Sequence, residues 1–132
     1  MSRSRSSSAR SCRARSSFQF EINQRLQALG PDESVGVLHL DVRDFKVVNE
    51  SLGFEVGDQL LVAIAGRIRS ALRQGDLLAR FGADSFGVLT TVRSPEVLDT
   101  VAQRVDSMFD EPFDIVGRQW SVAMSIGMAS SA

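Results

Sequence analysis

Two short stretches of this chain carry acidic and polar side chains at spacings that suit phosphate and metal chemistry. The first, LHLDVRDFKVVNESLGFEVGD (residues 38–58), ends a β-prone run at Asp41 and then offers Lys46, Asn49 and Asp58. The second, RFGADSFGVL (residues 80–89), sets Asp84 in a turn between two strand-like ends. If the two strands adjoin, acids distant in sequence meet at one rim of a sheet, an oxygen-rich arrangement that hard divalent cations take. Lys46, the one lysine among 15 basic residues, is a point charge suited to phosphate, and Asn49 and Asp58 suit the edge of a purine base. Each residue also has a plain structural reading. Asp41 can close a strand, Asp84 can favour turn geometry, Asp58 can complement a helix dipole and Lys46 can be an ordinary surface lysine. Only the joint pattern points to a site.

A chain of 132 residues is expected to form one domain with a sizeable core. Its 43% apolar and 23% charged residues are ordinary for a globular protein, and no apolar run approaches the roughly 18 residues of a membrane span. The net charge of −1 is unevenly spread. Residues 1–17, MSRSRSSSARSCRARSS, hold five arginines and no acid, so the remainder carries ten basic against sixteen acidic side chains. A body of that sign repels a polyanion, which argues against nucleic acid as a partner. The Arg/Ser leader is expected to be disordered, with the globular part running over 18–132. It has the acid-poor look of a transit peptide but lacks an amphipathic period. Its Cys12 is the sole cysteine, which rules out a disulfide framework and fits a reducing cytoplasm.

The elements that must position the acids follow from periodicity. Phe18, Ile22, Leu26 and Leu29 recur at helical spacing before Gly30-Pro31. VGVLHLDV (35–42) predicts a strand, and the segment after it a short helix with a turn at Gly53. Leu60, Leu61, Ile64, Ile68 and Leu72 make one stripe of a helix over Gly57–Arg73. DLLARF and SFGVLTTV flank the Asp84 turn as a hairpin. Ser94-Pro95-Glu96 opens a helix to about Met108, and FDIVGRQWSVAMSIGMA predicts two strands joined near Gly117. This order predicts an α+β sandwich, helices packed on a largely antiparallel sheet. His39 reads as a packed or edge-facing strand residue, and Trp120, Met108, Met124 and Met128 as core filling.

The stretches LDVRDFKVVNESLGFEVGDQLL, RQGDLLARFGADSF and SVAMSIGMA, in that order between Phe18 and Ala129, resemble the GGDEF family of diguanylate cyclase domains. That family is similar in fold to polymerase palm and class III nucleotide cyclase domains. The resemblance implies that Asp41, the Val42 carbonyl and Asp84 hold Mg²⁺ and that Phe45 and Lys46 hold the triphosphate. It further implies that Asn49 and Asp58 read guanine, and that Gly82 belongs to the signature turn against the substrate. Asp84 would activate the 3′ hydroxyl as two GTP molecules, on two facing domains, condense to cyclic di-GMP, a bacterial second messenger. Four positions depart from the pattern. The signature Gly-Gly-Asp/Glu-Glu-Phe reads Gly82-Ala83-Asp84-Ser85-Phe86, so a methyl and a hydroxyl replace a glycine and a carboxylate. Arg43 stands in place of a common second acid and, on an extended strand, would neutralise Asp41 as a metal would; Phe54 replaces a frequent histidine.

Arg73 and Asp76 match the family's RxxD inhibitory site for cyclic di-GMP. The family's leader pattern D-x-L-T-G-L-x-N-R is absent apart from the spacing of Arg15 and Phe18, and its last helix and strand are expected to be missing beyond Ser125-Ile126-Gly127. EPFDIVGRQWSVAMSIGMA resembles GGDEF domains joined to an EAL phosphodiesterase domain, which implies an EAL or sensor partner domain in a longer chain, and a homodimer. The expectation is a degenerate GGDEF domain of signal transduction that binds GTP or cyclic di-GMP and regulates a partner domain. The alternatives are an active diguanylate cyclase and a ligand-free dimerisation module.

Overall fold

The computed structural model describes residues 12, 13 and 15–131. Apolar side chains alternate along β2 (Ser34–Val42), so its two faces are both used. Leu38, Leu40 and Val42 enter one core, while Val35 and Val37 enter another on the opposite face. The strand β4 (Ser85–Val92) runs antiparallel beside it, in register from Ser34↔Val92 to Asp41↔Ser85. Next to β4 lies β3 (Leu77–Arg80), also antiparallel. The short β1 (Cys12–Arg13) adds to the outer edge of β3 in parallel, and β7 (Met124–Ser130) flanks β2 on its other side. The sheet order is therefore β1-β3-β4-β2-β7, an α+β palm-like arrangement as expected.

Helices cover both faces. On one lies α1 (Arg15–Gln27), whose Phe18 packs on Val35, Ala79 and Leu89. On the other lie α2 (Phe45–Leu52), α3 (Phe54–Ala71) and α4 (Pro95–Ser107). Ile64 and Ile68 of α3 and Val105 of α4 are fully buried against Leu38, Phe86 and Val88. Each such side chain contributes roughly 1.5–3 kcal/mol through burial.

β1 and the start of α1 precede Phe18, with Cys12 and Arg13 pairing along the edge of β3. The rest of the expected leader, residues 1–11 and 14, lies outside the described residues. Two expectations are corrected. Leu26 is 42% exposed rather than buried; the inward position in the last turn of α1 is taken by Arg25, which donates to the Thr91 hydroxyl (3.3 Å) and the Gly75 carbonyl. The C-terminal segment folds as three strands instead of two. β5 (Phe113–Ile115) and β6 (Arg118–Trp120) form a separate hairpin. Its turn residues Val116 and Gly117 have φ of 52° and 73°, the double positive-φ turn whose twist suits a two-residue loop. The chain then bends at Ser121–Ala123, where the Arg43 N–H donates to the Ala123 carbonyl (2.9 Å) and draws β7 against β2.

Candidate functional site

Antiparallel register brings the two acidic stretches together. Asp41 lies directly across from Ser85, and one step further the Val42 N–H donates to the Asp84 carbonyl (2.9 Å). Both acids thus sit at the same rim of the sheet, with Asp41 exposed and Asp84 half-buried. The turn between β3 and β4 is closed by the Phe81 N–H on the Ser85 carbonyl (2.9 Å). The Arg80 guanidinium clamps it by donating to the Gly82 (3.0 Å) and Ala83 (3.1 Å) carbonyls. Ala83 has no positive φ, so its Cβ costs the turn no backbone strain.

Asp41 has a neighbouring side chain, but not the expected Arg43. The strand ends at Val42, and Arg43 makes no ion pair among the described residues. His39, two residues before Asp41 and on the same face of β2, places Nδ1 at 3.5 Å from the Asp41 carboxylate. Its ring stacks on Phe81 (centroids 5.6 Å apart), which in turn meets Phe18 edge-on at 5.0 Å. Sequence reasoning treated His39 as structural; its spacing of two from Asp41 was the available signal.

Behind the rim, α2 begins with Phe45 buried in the core, so only its main chain can face a ligand. Lys46 extends into solvent, its side chain 85% exposed and 3.9 Å from Glu50. Asn49 is half-buried with its Oδ1 against Gly57, where an added Cβ would collide with it. The break at Gly53 (φ 93°) folds α3 back beside α2, which sets the Asn49 amide against Gly57, one residue before the exposed Asp58. The close approach needs a glycine at position 57, because any Cβ there would meet the amide oxygen.

The second candidate site lies at the other end of β3. Asp76 is nearly inaccessible, its side chain 3% exposed. It accepts from the Arg73 N–H (2.9 Å) and the Thr90 hydroxyl (2.7 Å) and stands 3.5 Å from the Arg73 Nε. Arg73 also donates to the Thr90 hydroxyl and the Thr91 carbonyl. Arg25, Gln74 and Gly75 complete a cavity of about 390 Å³ beside them. Arg25 was not a sequence candidate, since it comes from a helix remote in the chain. Asp76→Ala strands a buried hydroxyl and frees the Arg73 anchor, so it is expected to lower stability by about 2 kcal/mol, read as a fall in the urea midpoint at unchanged m-value.

The architecture is that of an α+β palm-like domain, with two acids at one rim of the sheet and an arginine-lined cavity at the far end. Residues 12–132 match the family described as "Diguanylate cyclase, GGDEF domain". The chain belongs to the GGDEF family of cyclic di-GMP signalling domains. It is 36% identical over 103 residues to the bifunctional diguanylate cyclase/cyclic di-GMP phosphodiesterase MucR of Pseudomonas aeruginosa, covering 78% of this chain and 15% of MucR. The crystal structure of the GGDEF domain of TpbB from the same organism superposes with a TM-score of 0.87 at 33% identity, over 92% of this chain and 77% of that one. An EAL/GGDEF domain protein from M. capsulatus is 41% identical with a TM-score of 0.70, over 89% and 77% of the two chains. No helix among the described residues is long and apolar enough to cross a membrane.

Proposed function

We propose that the chain is a degenerate GGDEF domain that binds guanine nucleotide at the β2 rim and regulates a partner domain, with little or no cyclase activity of its own. The observation that carries this is the residue facing Asp41. Ser85 stands directly across the strands, where the family resemblance calls for a carboxylate, while the Asn49 amide lies against Gly57. Base recognition is retained and the anionic field for metal chemistry is reduced.

In this reading the Asn49 amide donates and accepts and the Asp58 carboxylate accepts at the guanine edge, and the main chain at Phe45, with Lys46 and Gly82, lies along the triphosphate. The Asp41 and Asp84 carboxylates and the Val42 carbonyl are hard oxygen donors, and Mg²⁺ is commonly held by one or two carboxylates together with substrate phosphates. The donor set therefore suits Mg²⁺ as a nucleotide complex, and the ion would supply charge neutralisation to the phosphates. His39 within 3.5 Å of Asp41 competes with that ion for the carboxylate. Asp84 would take the 3′ hydroxyl proton in an active relative; with Ser85 beside it, the second carboxylate that sharpens this step is missing.

Cyclic di-GMP is the second ligand. Arg73 and Arg25 present guanidinium groups to the far cavity, and these can grip phosphate in a bidentate manner. Asp76 serves there by holding Arg73 rather than by meeting the ligand, because its carboxylate is buried and occupied. The M. capsulatus neighbour supports an EAL domain as the regulated partner.

Calorimetric titration of the chain with GTP tests the reading. Binding is expected with no cyclic di-GMP on chromatography, and Asn49→Ala is expected to weaken GTP about tenfold through loss of paired polar contacts. Absence of affinity for both GTP and cyclic di-GMP refutes it.

A further inference from the structure

Asp76 is the one acid among the residues that line the cavity at the far end of β3, and its carboxylate is closed to a ligand. The side chain is nearly inaccessible, and both oxygens are engaged. Oδ1 takes the Thr90 hydroxyl at 2.7 Å, and Oδ2 takes the Arg73 main-chain N–H at 2.9 Å with the Arg73 Nε at 3.5 Å. Donor and acceptor types fix how this is held. A guanidinium only donates and a carboxylate only accepts. The fully buried Thr90 hydroxyl, bonded to both, therefore accepts from the Arg73 Nη2 and gives its proton to Asp76. Valine, of the same shape, can do neither.

What remains for a ligand is cationic and indifferent to the base. Arg73 and Arg25 line the cavity beside Gln74, Gly75 and Thr91, and guanidinium groups grip phosphate oxygens. The Gly75 carbonyl already accepts from Arg25 and the Thr91 carbonyl from Arg73. The Gln74 amide can present either its oxygen or its NH₂, so it suits guanine and adenine alike. A site discriminates strongly only through a polar group that one ligand satisfies and the other leaves unpaired. The carboxylate that would do so for the guanine N–H groups is the one Thr90 holds out of reach.

We infer that Thr90 sets the specificity of this cavity: by keeping Asp76 inside, it makes the site a receptor for cyclic dinucleotide phosphodiesters that does not distinguish guanine from adenine. Thr90 is a positioning residue, acting through Arg73 and Asp76 without touching the ligand. The inference rests on the reading of cyclic di-GMP as second ligand and goes beyond it in the class of ligand admitted.

Calorimetric titration of the 132-residue chain with cyclic di-GMP and with its adenine counterpart, cyclic di-AMP, tests this. The two are expected to bind within about threefold of each other. Thr90→Val is expected to weaken both about tenfold, through loss of the bond that fixes Arg73, and Thr90→Ser to bind both as the unaltered chain does. A preference above threefold for either dinucleotide in the unaltered chain overturns the inference and leaves the cyclic di-GMP reading standing, and this comparison needs no variant to fold. Undiminished affinity in Thr90→Val likewise overturns it. If neither dinucleotide binds, the reading of this cavity fails and the inference with it.

Discussion

Phe86→Ala is expected to lower the unfolding free energy by about 3–5 kcal/mol, the range for truncating a fully buried aromatic ring. Phe86 is 0% exposed and lies across from Leu40, between α3 and the sheet. The loss is a large share of the roughly 5–15 kcal/mol that holds a domain together. Phe86 is also the step that follows the Asp41↔Ser85 pair, so the signature aromatic acts by pinning the end of β4 and with it the Asp84 turn. Phe86→Leu, which refills most of the volume, should cost less than about 1.5 kcal/mol. Urea unfolding followed by Trp120 fluorescence distinguishes the two, and a loss below 1 kcal/mol for the alanine variant contradicts the packing described.

Ser85→Glu is expected to raise Mg²⁺ affinity of the GTP-bound chain by about thirtyfold. A carboxylate introduced across from Asp41 adds negative charge within a few ångströms of the ion. At an effective dielectric near 20, a unit charge pair at 4 Å is worth about 4 kcal/mol. Solvent at the rim, where the Asp41 side chain is 54% exposed, reduces that to about 2 kcal/mol, which corresponds to the stated factor. Mn²⁺ used in place of Mg²⁺ gives an electron paramagnetic resonance titration that reads the change without relying on turnover. Chromatography of the same samples shows whether cyclic di-GMP appears. Unchanged metal affinity would mean that Ser85 is not what limits the site.

The stability variant and the metal variant test different links. Phe86 links packing to geometry, whereas Ser85 links geometry to charge. A protein that keeps its fold and gains its ion on one substitution is a cyclase scaffold with a reduced metal site; a protein that does neither is built differently at this rim.

Local pattern was enough to place most elements. The alternation of 35–42, the apolar stripe of Leu60, Leu61, Ile64 and Ile68, and the Pro95 start of α4 each reflect a periodicity that burial imposes on a short segment, and these elements occur where that periodicity puts them. The quoted motifs likewise identify the family without coordinates. Periodicity is silent about pairing between distant segments, and that is where expectation and structure part. The stripe of α1 could not show that Arg25 replaces Leu26 at the sheet, because the acceptors on Thr91 and Gly75 are 66 and 50 residues away. The strand count after Phe113 depended on a hydrogen bond from Arg43 to Ala123.

Residue types alone determined that this chain has the acids, the amide and the arginines of the GGDEF pattern, with a hydroxyl at position 85. Tertiary structure decided what each of them meets. Asp41 faces Ser85 and is attended by His39 rather than Arg43, Asp76 is closed inside a network with Thr90, and the Trp120 N–H is buried without a partner. The physical reason is that a side chain's chemistry is set by its type, while its charge environment and its partners are set by register and packing across the sheet.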